Sequence, residues 1–326
     1  MKRNIKILNK DVSAMGLGCW AIGGPFYSDG TPLGWGEVDD NESVRAIHAA
    51  LELGIDFFDT ANVYGAGHSE RILGKALADR RSDTVIVTKF NGLFNEETRQ
   101  ITGSDSSPQG IRRACEESLA RLGTDYIDIY LFHDNGFPVE QAGPVRDTLE
   151  TLVGEGKIKS YGWSTDFPES ADFFAKGNNC SAIEFELNVL DDNAPLLAVC
   201  ERYGVTTINR GPLAMGLLSG KYSKASDISA DDVRGKSSPE WMKYFTNGKP
   251  SDEYIQKLDA VREILTSNGR SLVQGALAWL WGRSPNNIPI PGFRTVAQVE
   301  ENARAMEFGP LTPSQMDEIK SILGRQ

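Results

Sequence analysis

Cysteine, histidine and positive charge are all scarce in this chain of 326 residues. The four cysteines, Cys19, Cys115, Cys180 and Cys200, lie far apart with no C-x-x-C between them. That argues against a disulfide framework and a zinc site, and for a reducing, cytoplasmic setting. No apolar run approaches the ~20 residues that span a bilayer. The opening MKRNIKILNK lacks the continuous apolar segment of a signal peptide. Lys and Arg total 34 against 45 Asp and Glu, a net charge of −11, and no basic run stands out. Neutralising phosphates takes clustered positive charge, so a nucleic-acid partner is not expected. Apolar residues reach 40%, enough for a large core.

What the chain does have is alternation. Short apolar or β-branched runs fall at 15–20, 55–58, 84–88, 126–132, 158–162, 182–185, 205–208 and 287–289. Helical patterns lie between most of them. The stretch 107–122 opens with Ser107 as N-cap and Pro108 at the first helical position, and Gly123 follows it. Its Ile111, Cys115, Leu119 and Leu122 form an apolar stripe. Eight short buried strands alternating with helices predict a parallel (β/α)8 barrel. An open doubly wound sheet would favour a G-x-G-x-x-G turn after its first strand. The run Gly18-Cys-Trp-Ala-Ile-Gly-Gly24 lacks that spacing. A hairpin is expected around Asn9-Lys10, joining 5–8 to 12–15 and plugging the barrel floor. A long polar insertion, 217–250, follows the seventh strand, and loops of that length are lids, binding loops or disordered. No linker divides the chain, so 1–326 reads as a single domain.

Barrel enzymes do their chemistry where the C-terminal strand ends meet. Asp59 and Tyr64 follow the second strand, Lys89 ends the third, and His133 follows the fourth. An acid, a phenol, an ammonium and an imidazole therefore converge on one face. Taken singly, Asp59 reads as a turn cap and Tyr64 as a packed loop aromatic. Lys89 reads as a surface lysine or a Schiff-base nucleophile. Of the three histidines, only His133 directly follows a buried strand. The set of four makes a proton-transfer constellation.

The run Gly54-Ile-Asp-Phe-Phe-Asp59-Thr-Ala-Asn-Val-Tyr64-Gly, continued by Ser69-Glu70 and Gly74, resembles the signature of the aldo-keto reductases. The resemblance extends through Thr88-Lys89, Leu131-Phe-His133, Gly162-Trp-Ser164-Thr165, Gly216-Leu-Leu-Ser-Gly220-Lys221, Ile290-Pro-Gly292 and Gln298-Val-Glu-Glu301-Asn302. It implies a TIM barrel that reduces aldehydes or ketones with NADPH, or runs the reverse reaction with NADP+. It also implies that Tyr64 protonates the carbonyl oxygen, that Lys89 lowers its pKa, that Asp59 orients Lys89, and that His133 holds the carbonyl. Nicotinamide would sit near Ser164 and Glu184, and pyrophosphate along Pro212, Leu213, Gly220 and Lys221. The turn at Gly292 would lead to Arg294 and Gln298 on a 2′-phosphate, with Glu301 and Asn302 on adenine. Trp20 and Tyr27 would wall the substrate pocket. A slow nicotinamide-binding regulatory subunit of the channel β type shares these residues and is the alternative reading.

Three positions depart from the family pattern. Thr165 stands where Asn is usual, Glu184 where Gln is usual, and Arg210 where an aromatic stacks on the nicotinamide. Glu184 and Arg210 end neighbouring strands with opposite charges, so an ion pair between them is expected.

Overall fold

The structure is a computed structural model describing residues 1–5 and 8–325. Eight parallel strands form the central sheet in chain order: β1 Leu17–Gly18, β2 Phe57–Asp59, β3 Val85–Phe90, β4 Ile127–Phe132, β5 Ile158–Ser164, β6 Cys180–Glu186, β7 Thr206–Arg210 and β8 Asn287–Pro289. The ring closes where Gly18 bridges Gly292 and the Gly16 and Gly18 amides donate to Pro289 O and Pro291 O at 3.0 and 3.1 Å. A Cβ on Gly18 would lie 2.8 Å from Ile290 O, so only glycine permits this approach. Strand β1 has two residues where six were expected.

Helices α1 Asp40–Glu52, α2 His68–Leu77, α3 Pro108–Leu122, α4 Gly143–Gly154, α5 Pro168–Ala175 and α6 Ala194–Tyr203 follow β1 to β6 in turn. Past the insertion come α7 Asp252–Leu265, α8 Leu272–Arg283, α9 Val296–Phe308 and α10 Pro313–Ile322. Ser107 caps α3 as the sequence predicts, accepting from the Gly110 amide at 3.1 Å.

Alternation along the strands sorts side chains into two layers. Outward residues such as Ile86, Tyr130, Trp163 and Ile183 pack under the helices. Inward residues Phe57, Val85, Val87, Ile129, Leu131, Ala182 and Ile208 fill the barrel. Continuing the inward positions by two places gives Asp59, Lys89, His133, Glu184 and Arg210. The apolar stack thus ends in a polar layer at the C-terminal mouth.

The N-terminal hairpin pairs Lys2–Ile5 with Lys10–Ser13, a few residues earlier than expected; Lys6 and Ile7 lie outside the described residues. Ile5 and Val12 join the inner apolar stack, and Lys10 Nζ donates to Ser82 O and Thr84 O at 3.0 Å each. The hairpin therefore plugs the barrel floor. The insertion buries Val233, Tyr244 and Phe245, and the Val233 amide donates to Gly34 O at 2.8 Å. A four-stranded sheet of two hairpins, Tyr27–Ser28 with Thr31–Pro32 and Gly92–Asn95 with Gln100–Ser104, was not anticipated. Among the described residues no helix is long and apolar enough to cross a membrane.

Candidate active site

A cleft of about 930 Å³ opens at the C-terminal mouth. Lys89 lies beneath it, fully buried. Its Nζ donates to Asp59 Oδ1 at 2.6 Å and to Thr60 O at 3.0 Å, and stands 3.2 Å from Glu184 Oε2. The same Nζ is 5.4 Å from the Tyr64 ring centroid. Tyr64 lies between Trp20, stacked at 5.8 Å and 17°, and His133, edge-on at 6.1 Å. The four residues singled out in the sequence are therefore one cluster.

Burial works against the Lys89 charge, but Asp59 and Glu184 outweigh it and raise its pKa above the ordinary lysine value. An ammonium held so firmly is a poor amine nucleophile, which removes the basis for a Schiff-base role. Burial pulls His133 down to about 3, with Lys89 adding to the effect, so its imidazole is neutral at physiological pH. Tyr64 departs from expectation. Lys89 favours its phenolate, yet burial together with Asp59 and Glu184 raises its pKa above the usual tyrosine value. The second carboxylate offsets the cation.

Tyr64 is positioned by close backbone packing. A Cβ on Gly65, whose φ is +62°, would lie 1.8 Å from Gly23 O. Gly65→Ala is expected to destabilise the fold by at least ~1–3 kcal/mol, the cost of one strained left-handed residue. Chemical denaturation checks this; an unchanged midpoint would contradict it. One helical turn further, buried Glu70 accepts from Thr88 Oγ1 and Arg121 Nε, both at 2.6 Å, tying α2 to β3 and α3.

The expected Glu184–Arg210 ion pair does not form. Arg210 pairs with Asp166 and lies 3.7 Å from Glu186, while Glu184 serves Lys89 and accepts from Ser164 Oγ at 3.0 Å. Arg210 is half-buried at the rim and Glu184 lies at the depth of Lys89, where an ammonium already supplies the countercharge. Lys243 from the insertion completes the rim network, 3.1 Å from Glu186.

Of the remaining expected residues, Trp20, Pro212, Leu213, Lys221, Gly292, Arg294, Gln298, Glu301 and Asn302 line the cleft. Thr165 does not; its hydroxyl donates to Asn135 O at 3.1 Å. Gly220 does not line the cleft either; it is an exposed left-handed cap, φ +75°. Tyr27 belongs to the outlying sheet. Arg294 Nη1 donates to Trp35 O at 3.0 Å, Nη2 donates to Glu37 O, and Gln298 Oε1 accepts from the Arg294 amide at 2.7 Å.

The sequence reading missed Trp35, Asp166 and Glu186. Glu186 was available, since it lies two residues beyond Glu184 on the same strand face. Trp35 lies outside the barrel strands, bridged to Asp232 of the insertion and edge-on to Trp20 at 5.5 Å. Among the described residues no group of three or more His, Cys, Asp or Glu is placed to hold a metal.

Two features suit a dinucleotide. Asn302 Nδ2 is buried in the cleft wall without a partner, a donor left for a bound group. Ala214 and Met215 adopt φ +47° and +53° and lead to Gly216 at +89°, a strained loop along the cleft. Strain of this kind gathers at ligand clamps.

The Aldo/keto reductase family model matches residues 14–324, and the chain belongs to that family. It is an oxidoreductase of this class. It is similar to the aldo-keto reductase YhdN of Bacillus subtilis, 31% identical over 303 residues, covering 89% of this chain and 84% of that one. It is 29% identical over 324 residues to the aldo-keto reductase yakc [NADP(+)] of Schizosaccharomyces pombe, covering 97% and 89%. Among solved structures, the glycerol dehydrogenase AKR11B4 of Gluconobacter oxydans superposes with a TM-score of 0.82 at 30% identity, covering 99% and 95%.

Proposed function

We propose that this protein is an NADPH-dependent reductase of small aldehydes and ketones, acting as one barrel domain. The observation that carries the reading is Tyr64 held between neutral His133 and the Lys89–Asp59 pair at the end of an open cleft. Bound in the cleft, the reduced nicotinamide supplies a hydride. Tyr64 gives its proton to the carbonyl oxygen, general acid catalysis of the ordinary kind. Neutral His133 hydrogen-bonds the same oxygen and aligns it. Lys89 stabilises the phenolate that Tyr64 leaves, a charge met by a preorganised donor. Trp20 shields the reacting end from water.

Ser164 and Glu184 take the nicotinamide amide, and Thr165, its hydroxyl on Asn135 O, fixes the turn that follows Ser164. Pro212 to Lys221, with Gly220 as pivot, run along the pyrophosphate; Gly292 and Gln298 shape the far end. Asn302, beside Glu301, offers its free Nδ2 to the adenine. Arg294 reads the 2′-phosphate by exchanging a carbonyl contact for phosphate oxygens, for which its planar fork is suited. The NADP(+) in the name of the fission-yeast relative supports this cofactor. The polyol named for the Gluconobacter neighbour supports small hydroxylated substrates.

The test is cofactor oxidation across aldehydes, ketones and sugars, with NADPH and NADH in parallel. NADPH turnover with at least one carbonyl class is expected, and none with any class would refute the reading. Arg294→Ala should weaken NADPH binding tenfold or more while leaving NADH nearly unchanged, one lost charge-assisted contact being worth about 1.5–3 kcal/mol. Equal losses would remove Arg294 from the phosphate site.

A further inference from the structure

Two buried carboxyl oxygens at the barrel mouth lack hydrogen-bond partners: Asp59 Oδ2 and Glu184 Oε2. The other oxygen of each is occupied. Asp59 Oδ1 accepts from Lys89 Nζ at 2.6 Å, and Glu184 Oε1 accepts from Ser164 Oγ at 3.0 Å. Glu184 Oε2 is 3.2 Å from Lys89 Nζ, so one ammonium serves two carboxyls. Both acids are 1% exposed, and both carboxyls meet on the one Lys89 ammonium, at 2.6 and 3.2 Å.

Fully ionised, this trio would bury a net negative charge with almost no water. Ionising both of two closely spaced carboxylates in such surroundings is costly, so the doubly ionised pair is a short-lived state and not the resting one. A single proton held by the pair would satisfy Asp59 Oδ2, which has no partner, and relieve Glu184 Oε2, whose only counterpart is the shared ammonium. It would also leave the trio neutral.

We propose that Asp59 and Glu184 share one proton across Lys89, and that this proton refills Tyr64 after each reduction. The second half rests on the reading of Tyr64 as general acid. In the reductive direction, a reduced nicotinamide held in the cleft would supply the hydride that the carbonyl carbon takes up. The Tyr64 O–H bond breaks as the alcohol O–H bond forms. The Tyr64 phenolate then takes a proton from the Lys89 ammonium. Lys89 regains one from the Asp59–Glu184 pair, which stands as two carboxylates until solvent returns a proton. The sum is carbonyl plus hydride plus one proton, giving alcohol. Glu184 touches neither carbonyl nor phenol in this scheme; its part in the refill runs through Lys89, beside its contact with the nicotinamide amide.

The surrounding groups are consistent with one shared proton. Lys89 from β3 and Arg210 from β7 bring positive charge, Arg210 being committed to Asp166 and Glu186. His133 after β4 stays neutral, and burial keeps Cys19 after β1 a thiol. Tyr64 keeps its proton. Burial and then Glu184 push the Asp59 carboxyl well above the usual carboxylate range. Burial opposes the Glu184 charge too, but Lys89 and the Asp59 carboxyl outweigh it and hold that group low.

Infrared spectroscopy of the full chain tests the pair without turnover. A carbonyl-stretch band from a buried protonated carboxyl should persist at neutral pH, and should be lost in Glu184→Gln and in Asp59→Asn. Difference spectra between wild type and each variant remove any band from other carboxyls. Glutamine keeps the shape of Glu184 and an oxygen for Ser164, and circular dichroism of the variant checks that it folds. Kinetically, Glu184→Gln should move the alkaline limb of the reductase pH profile down by roughly one unit or more, the coupling expected of interacting acids. At a pH on that limb this reads as about a tenfold loss. A band unchanged in both variants overturns the shared proton. A profile that coincides with wild type overturns the relay. Tyr64→Phe separates the two readings: retained activity there overturns the proposed function and the refill together, whereas lost activity with an unshifted Glu184→Gln profile overturns the relay alone.

Discussion

Tyr64→Phe is expected to cut the reductase rate by ~10²–10⁴-fold while leaving fold and cofactor affinity nearly unchanged. The phenyl ring keeps the stack on Trp20 and the edge contact with His133. Only the hydroxyl is lost. His133 is no substitute donor, because its pKa near 3 leaves no imidazolium at working pH. Cofactor titration by fluorescence, run beside steady-state kinetics, separates the two effects. A variant retaining more than half the wild-type rate would mean that the proton comes from elsewhere.

Lys89→Met should be costly twice over. Activity falls because the phenolate loses its cation. Stability falls because Asp59 and Glu184 are left buried with no countercharge, and removing one partner of a buried pair typically costs about 3–5 kcal/mol. The loss should depend on pH with a definite sign. Without Lys89 both carboxyls are pushed up by burial and mutual repulsion, as Asp59 already is in the intact cluster. A group whose folded pKa lies above its unfolded value stabilises most below the unfolded pKa, ~4 for these acids. That contribution disappears as pH rises through the folded pKa. The variant should therefore lie closer to wild type at mildly acidic pH than at pH 8. Urea midpoints at the two pH values check this, and a deficit independent of pH would contradict it.

The barrel was legible because its signal is repeated. Each strand is short, apolar and separated from the next by a helical period, so small errors of boundary do not alter the count. Asp59, Lys89 and His133 were legible for a related reason: period-two alternation carries the inward face past the last apolar residue of each strand. What escaped was set by distance in sequence rather than by pattern. The small sheet pairs Tyr27 with Gln100, and nothing local announces such a partner. The α10 helix is a different case. Thr312 and Gln315 form a capping box that was present in the sequence and passed over. The Glu184–Arg210 pairing failed because neighbouring strands fix which residues are near but not how deep each side chain lies. Lys89, on a strand three places away from β6, reached Glu184 across the barrel interior.

The hairpin stopper has a consequence for solvent traffic. Below Lys89 the interior is a column of apolar side chains, from Val87 and Leu131 down to Ile5 and Val12. Protons travel along polar chains and not through such a column, so the charged layer exchanges with water from the mouth alone. The barrel is in effect a vessel with a single neck. A cofactor and substrate seated there would cork it, which places proton refilling after product departure and ties both to one passage.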